Sequence, residues 1–118
     1  MGYTNYYYQE RDFTNKEWED VMREGIYVQQ MGFDVKFHRK RDTMSKMLGE
    51  VDTITLDGEC ETLVLRKYRR TKKHYEDDNL SFDFCKTRRH QYDIAVKHLL
   101  SHCHSLLGKD FTYSSDEL

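Results

Sequence analysis

The chain of 118 residues contains no proline, so its turns must rest on Gly, Asn and Asp. Cysteine is scarce. Cys60, Cys85 and Cys103 are an odd number at wide, irregular spacing, without a Cys-x-x-Cys pair. That spacing suggests neither a zinc knuckle nor a disulfide framework and leaves reduced thiols as the expectation. No apolar run approaches the ~18 residues of a membrane-spanning helix. The opening "MGYTNYYYQERD" lacks the basic start and apolar middle of a signal peptide. Tyr6 stands where a myristoylation signal needs Ser or Thr. A soluble, cytosolic protein is expected. Neither Gly-x-Ser-x-Gly nor a phosphate-binding P-loop occurs, which removes the commonest local signatures of hydrolases and nucleotidases. Neither sign of charge dominates: the net charge is -2, so any affinity for nucleic acid requires a local basic patch.

Charge and aromatic rings are plentiful. Charged residues make up 34% and apolar residues 37% of the chain, and aromatics reach 14% with nine tyrosines. Disordered chains are poor in aromatics, so this one is expected to fold, and its length suits one domain over residues 1–118 with a modest core.

Patterning predicts the elements in turn. "GYTNYYYQ" (2–9) reads as a strand with Tyr3, Asn5 and Tyr7 on one face and Thr4, Tyr6 and Tyr8 on the other. Residues 14–32 read as a helix. Thr14 and Glu17 have capping-box spacing, Phe13 can staple to Trp18, and Trp18, Val21, Met22, Gly25 and Val28 form an apolar stripe. Gly25 is expected at a close approach to a sheet, and Gly32 at a left-handed helix end. "FDVKFH" (33–38) alternates as a strand, residues 39–50 have no clear pattern, and 51–65 read as two strands about an Asp57-Gly58 turn. Residues 66–80 read as a charged loop and 80–84 as a short strand. The clearest helix is 92–108, with Tyr92, Val96, Leu99, Leu100, Cys103, Leu106 and Leu107 on one stripe and Gly108 at its end. A last strand follows at 110–116. The order β-α-β-β-β-β-α-β predicts an α+β fold, a largely antiparallel sheet under two amphipathic helices.

Several groups have chemistry to offer. Lys86, Thr87, Arg88, Arg89 and His90 crowd the start of the last helix, whose free amides and dipole favour anions. Each also has a plainer role, as a solvated charge or a turn residue. Asp93, in the first helical turn, reads as a helix cap or, with Asp116, as a general base or metal ligand. The run "RKYRRTKKH" (66–74) has the composition of a nucleic-acid contact, but Glu76, Asp77 and Asp78 follow and offset it, which favours a charged loop. His98 and His102 have zinc-ligand spacing without an acidic or Cys partner, and they read as solvent-facing, at a subunit contact if at any site. Cys85 and His90 are a nominal nucleophile–base pair with no guarantee of geometry. No metal and no cofactor is expected.

"MGYTNY" (1–6), "FCKT" (84–87) with "YD" (92–93), and "SSD" (114–116) together resemble a group of small, mostly uncharacterised bacteriophage proteins. "GECET" (58–62) is similar to a Gly-Glu segment of that group. Asn5 stands where the group tends to have His, and Gln91 where Pro often precedes the Tyr-Asp pair. The resemblance implies phage origin, hence a host-cytoplasmic setting, and a shared fold. It implies no activity.

The matching segments are polar and far apart, which suggests that they meet. The leading expectation is a sponge for an anionic, nucleotide-like ligand such as a host immune signal, through Tyr3, Thr4, Tyr6, Lys86, Thr87, Arg88, Arg89, Asp93, Ser115 and Asp116. The arginines and Lys86 would hold phosphate, the hydroxyls would support it, and a tyrosine would stack on the base. A homo-oligomer is expected, because so small a chain struggles to enclose a ligand alone. Two alternatives stand beside it. One is an inhibitor that binds a host defence protein or, less favoured, nucleic acid. The other is a phosphodiesterase-type hydrolase using Asp93 and Asp116.

Overall fold

The structure is a computed structural model, and residues 3–41, 48–58, 61–70, 82–87 and 90–115 are described. The elements follow the predicted order: β1 (Tyr3–Gln9), α1 (Asn15–Gln30), β2 (Asp34–Arg41), β3 (Leu48–Asp57), β4 (Leu63–Arg66), β5 (Phe82–Thr87), α2 (His90–Leu107) and β6 (Phe111–Ser115). A single 3-10 turn, Gly108–Asp110, joins α2 to β6. The fold is α+β. Its strands form two three-stranded antiparallel sheets, β5-β1-β6 and β2-β3-β4, rather than one continuous sheet.

The local signals explain the helix ends. Thr14 accepts from the Glu17 amide while the Glu17 carboxylate accepts from the Thr14 amide, the reciprocal capping box. Phe13 and Trp18 pack with ring centroids 5.5 Å apart. Gly32 has φ 106° and Gly108 φ 57°, the left-handed conformation that ends each helix without a Cβ clash. A Cβ on Gly25 would lie 3.3 Å from the Phe37 ring, so the missing side chain lets α1 settle onto β2.

Three boundaries move. β5 runs through Thr87, so Lys86 and Thr87 belong to a strand rather than to a loop before the helix. β2 continues to Arg41 and β3 begins at Leu48, which gives the unpatterned 39–50 stretch a long two-stranded ribbon at its ends. The β3–β4 connection is longer than a two-residue turn, since Leu56 pairs with Leu63.

One cluster of buried side chains draws on both sheets and both helices, with Trp18, Val28, Ile54, Leu65, Val96 and Phe111 among them. Among the described residues no strand ladder joins the two sheets. Side chains do so instead: the Tyr7 hydroxyl donates to Val64 O at 2.9 Å, Gln9 Nε2 to Arg66 O at 2.9 Å, and Arg66 pairs with Asp83 at 3.0 Å. The Tyr92 hydroxyl reaches Leu56 O and Glu61 O and so holds the β3–β4 connection against α2.

Gly58 lies flat on that tyrosine. A Cβ there would sit 2.4 Å from Tyr92 Cζ, so Gly58→Ala is expected to destabilise the fold by about 1–3 kcal/mol in urea denaturation. The capping box also sets a pH dependence. Arg11 beside Glu17, with the Thr14 bonds, holds the Glu17 carboxyl down at about 2, below its ordinary 4.5. A lowered folded-state pKa contributes stability that is present above the unfolded value and lost as pH falls. Thermal melts should lose this contribution between pH about 4.5 and about 2, and Glu17→Gln should flatten that part of the profile.

Candidate functional site

β1 is the central strand of its sheet, and its pleat decides which residues can share a site. Asn5 pairs with Cys85 on one side and Ser115 on the other; Thr4 pairs with Lys86, and Tyr3 with Thr87. The start of β1, the end of β5 and the end of β6 therefore lie side by side next to the first turn of α2. The three polar segments of the sequence do meet.

The same register divides them. Asn5 and Cys85 are fully buried beneath α2, and Ser115 is half-buried at the paired position. Thr4 and Tyr6 alternate to the opposite face of the sheet, and position 86 pairs with Thr4 rather than with Asn5. Thr4, Tyr6 and, by its strand position, Lys86 thus belong to the face away from Asp93. Arg88, Arg89 and Asp116 lie outside the described residues. Tyr3, Lys86 and Thr87 are placed by their strand positions.

Asp93 is buried, not a surface cap: its residue is 3% exposed. Asn5 Nδ2 donates to Asp93 Oδ1 at 2.9 Å, and Lys97 Nζ donates to Asp93 Oδ2. An acid four residues before a lysine is the favourable helical order, and a carboxylate in the first turn is stabilised by the helix dipole. A carboxylate can only accept, so the Asn5 amide must turn its nitrogen towards it. Asn5 Oδ1 is left buried without a partner among the described residues. An unmatched buried acceptor costs free energy that an apolar residue would not.

Asn5 and Lys97 are the members of this cluster that sequence reasoning did not assign. Both left a trace: Asn5 is a polar residue between Tyr3 and Tyr7 on one face of β1, and Lys97 stands at i+4 from Asp93. Among the described side chains Asn5 and Lys97 bond to Asp93; the expected Lys86 amine lies outside them.

The remaining candidates separate. Cys85 is buried, with its thiol 3.5 Å from Glu61 O and 3.8 Å from the Tyr92 hydroxyl, which places it in the core rather than at a reactive surface. Burial pushes the Cys103 thiol up. His98 Nε2 lies 2.8 Å from Glu24 Oε1 on α1. His102 is half-buried, not solvent-facing, and its Nε2 lacks a partner among the described residues. His104 Nδ1 meets Phe111 O at 2.7 Å. The three histidines have separate surroundings, and no group of His, Cys, Asp and Glu among the described residues could hold a metal.

On the other flank of α2 a groove of about 440 Å³ runs between the helices. Tyr27, Met31, Phe33 and Ile94 line it together with Gln91 and His98, and no Lys, Arg, Asp or Glu does. Tyr27, Met31 and Ile94 are each more than half exposed.

No protein-family model matches the chain, and no curated protein or solved structure shows significant similarity to it.

Asn5→Ala removes the bond that Asn5 donates to Asp93 Oδ1. It is expected to cost about 1–3 kcal/mol in chemical denaturation. Lys97→Met should cost less, because the Lys97 side chain is 28% exposed and its salt bridge is already solvated in part.

Proposed function

We propose that the protein binds an anionic, nucleotide-like ligand at the end of the β5-β1-β6 sheet beside α2, and releases it unchanged. The observation that carries this reading is the register Asn5↔Cys85, Asn5↔Ser115 and Thr4↔Lys86. It draws segments about 80 to 110 positions apart in the chain to one sheet end. That end borders the first turn of a helix, where anions are stabilised. By register Thr87 and Ser115 bring hydroxyls to the Asn5 face and Lys86 brings a positive charge to the Thr4 face, so the ligand wraps the sheet end, with Arg88 and Arg89 following in the sequence. Asp93 acts from behind, fixing Asn5 and Lys97.

Binding is favoured over hydrolysis because each Asp93 oxygen already accepts a bond from the protein. A general base needs reach to the proton it abstracts, and Asp93 is almost wholly buried. Basic and hydroxyl groups beside the tyrosines of β1 suit a nucleotide, and the class proposed is a signalling nucleotide of a host defence. A second reading, an inhibitor that binds a host defence protein, draws on the charge-free groove of Tyr27, Met31 and Ile94.

The test is incubation of the purified protein with cyclic di- and trinucleotides and cyclic ADP-ribose isomers. Free ligand is then removed, the protein denatured, and the released material identified by mass spectrometry. The expected result is intact ligand, with affinity lowered about 10- to 100-fold by Lys86→Ala, the loss of a charge-assisted hydrogen bond. Altered ligand would replace the sponge with an enzyme. Absence of any retained ligand would overturn the reading in favour of a protein partner.

A further inference from the structure

At the far end of β1, about 13 Å from Asn5 by strand rise, two basic segments far apart in sequence come together. β3 lies between them. Arg39 pairs with Val51 and Arg41 with Leu48 on one side. On the other side Arg66 pairs with Thr53, and the Lys67 amide continues that line by donating to Asp52 O at 2.9 Å. Two strand spacings, about 10 Å, separate the flanking backbones. Long arginine side chains can reach one bound strand from both.

Between them stands a tyrosine that is exposed yet held. Tyr68 is 39% exposed. Its hydroxyl donates to Glu50 Oε1, and Lys67 Nζ sits 5.1 Å from its ring centroid. Lys67 is itself buried, bonded to Asn15 Oδ1 and to Glu50 Oε2 at 2.7 Å. Burial disfavours its ammonium, but the Glu50 and Tyr68 bonds outweigh that and hold its pKa above the ordinary lysine value. The next amide, Arg69 N, donates to Asp12 Oδ1 at 2.6 Å. The ring is thus held by Glu50 and Lys67; Arg69 and Arg70 follow it in the chain, Arg39 pairs with Val51 next to Glu50, and all three arginines are exposed. Glu50 is engaged by Lys67 and Tyr68, and Asp83 by Arg66, so these two acids are matched within the protein.

We infer that this surface binds single-stranded nucleic acid, with a base stacked on Tyr68 and the backbone phosphates held by Arg69 and Arg39. A preset aromatic platform flanked by guanidinium groups is the chemistry that holds single strands without reading sequence. A duplex keeps its bases stacked on one another and cannot use the ring. The site is independent of the ligand site at the other end of β1.

Fluorescence anisotropy with a fluorescein-labelled oligo-dT and its duplex tests the inference. The full chain should bind the single strand more tightly than the duplex, and affinity should fall steeply between about 50 and about 200 mM salt. Tyr68→Ala should weaken single-strand binding about fivefold or more, while Tyr68→Phe keeps most of it. Arg39→Glu with Arg69→Glu should lower the salt slope by about 1.4, two phosphate contacts at ~0.7 each. These arginines are exposed, so that variant reports on binding even if the tyrosine variants prove unstable. Absence of binding at the lower salt, equal affinity for the duplex, or insensitivity to the paired arginine reversal would each overturn the inference. Retention of a cyclic nucleotide by Tyr68→Ala keeps the test separate from that of the sheet-end site.

Discussion

A buried carboxylate must be matched from within the fold, and Asp93 is matched from two directions. Asn5 reaches it from the central strand and Lys97 from the next turn of the same helix. The bond from Asn5 fixes how α2 lies across the β5-β1-β6 sheet, because an amide and a carboxylate meet only in one orientation. Apolar contacts such as those of Val96, Leu99 and Leu100 tolerate small shifts. A directional bond in a low-dielectric setting does not. The same bond places the polar ends of β1, β5 and β6 beside the helix start, so the candidate site inherits its geometry from a structural pair.

The abundance of tyrosine has a related cause. The two sheets are separate, and the edge of β4 would otherwise present unpaired carbonyl groups. Tyr7 and Gln9 cover Val64 O and Arg66 O, while Tyr92 covers Leu56 O and Glu61 O. A tyrosine buries an apolar ring and ends in a hydroxyl that can reach across a gap. Burial pushes both hydroxyls up, so they remain protonated donors. Trp18 does the same work on the other side, donating from Nε1 to Val51 O at 2.7 Å. A core of aliphatic residues alone would have left these carbonyls unmatched.

The molecule also separates two kinds of basic chemistry along one strand. At the start of β1 the Lys86 position at the end of β5 lies near a buried acid in the first turn of α2. At its end, Arg66 and Lys67 are tied into ion pairs that steady an exposed tyrosine. The nearly neutral total of the sequence conceals both, since acids and bases cancel in a sum but not in space.

What the residues settle without tertiary information is local. The capping box of Thr14 and Glu17, the stripes of both helices, the left-handed glycines 32 and 108 and the alternation of β1 all depend on neighbours within a turn or a strand. Hence the α+β order could be read directly. The pairing of Asn5 with Cys85 and Ser115, which brings the three polar segments together, needs contacts across most of the chain, and no local pattern encodes such a register. The same holds for the division of Thr4 and Tyr6 from Asp93, because a face becomes inner or outer only when a helix covers it. Lys67 is the sharpest case: a lysine in a basic run reads as solvated, and only the meeting of β3, α1 and the loop before it buries its amine against Glu50 and Asn15.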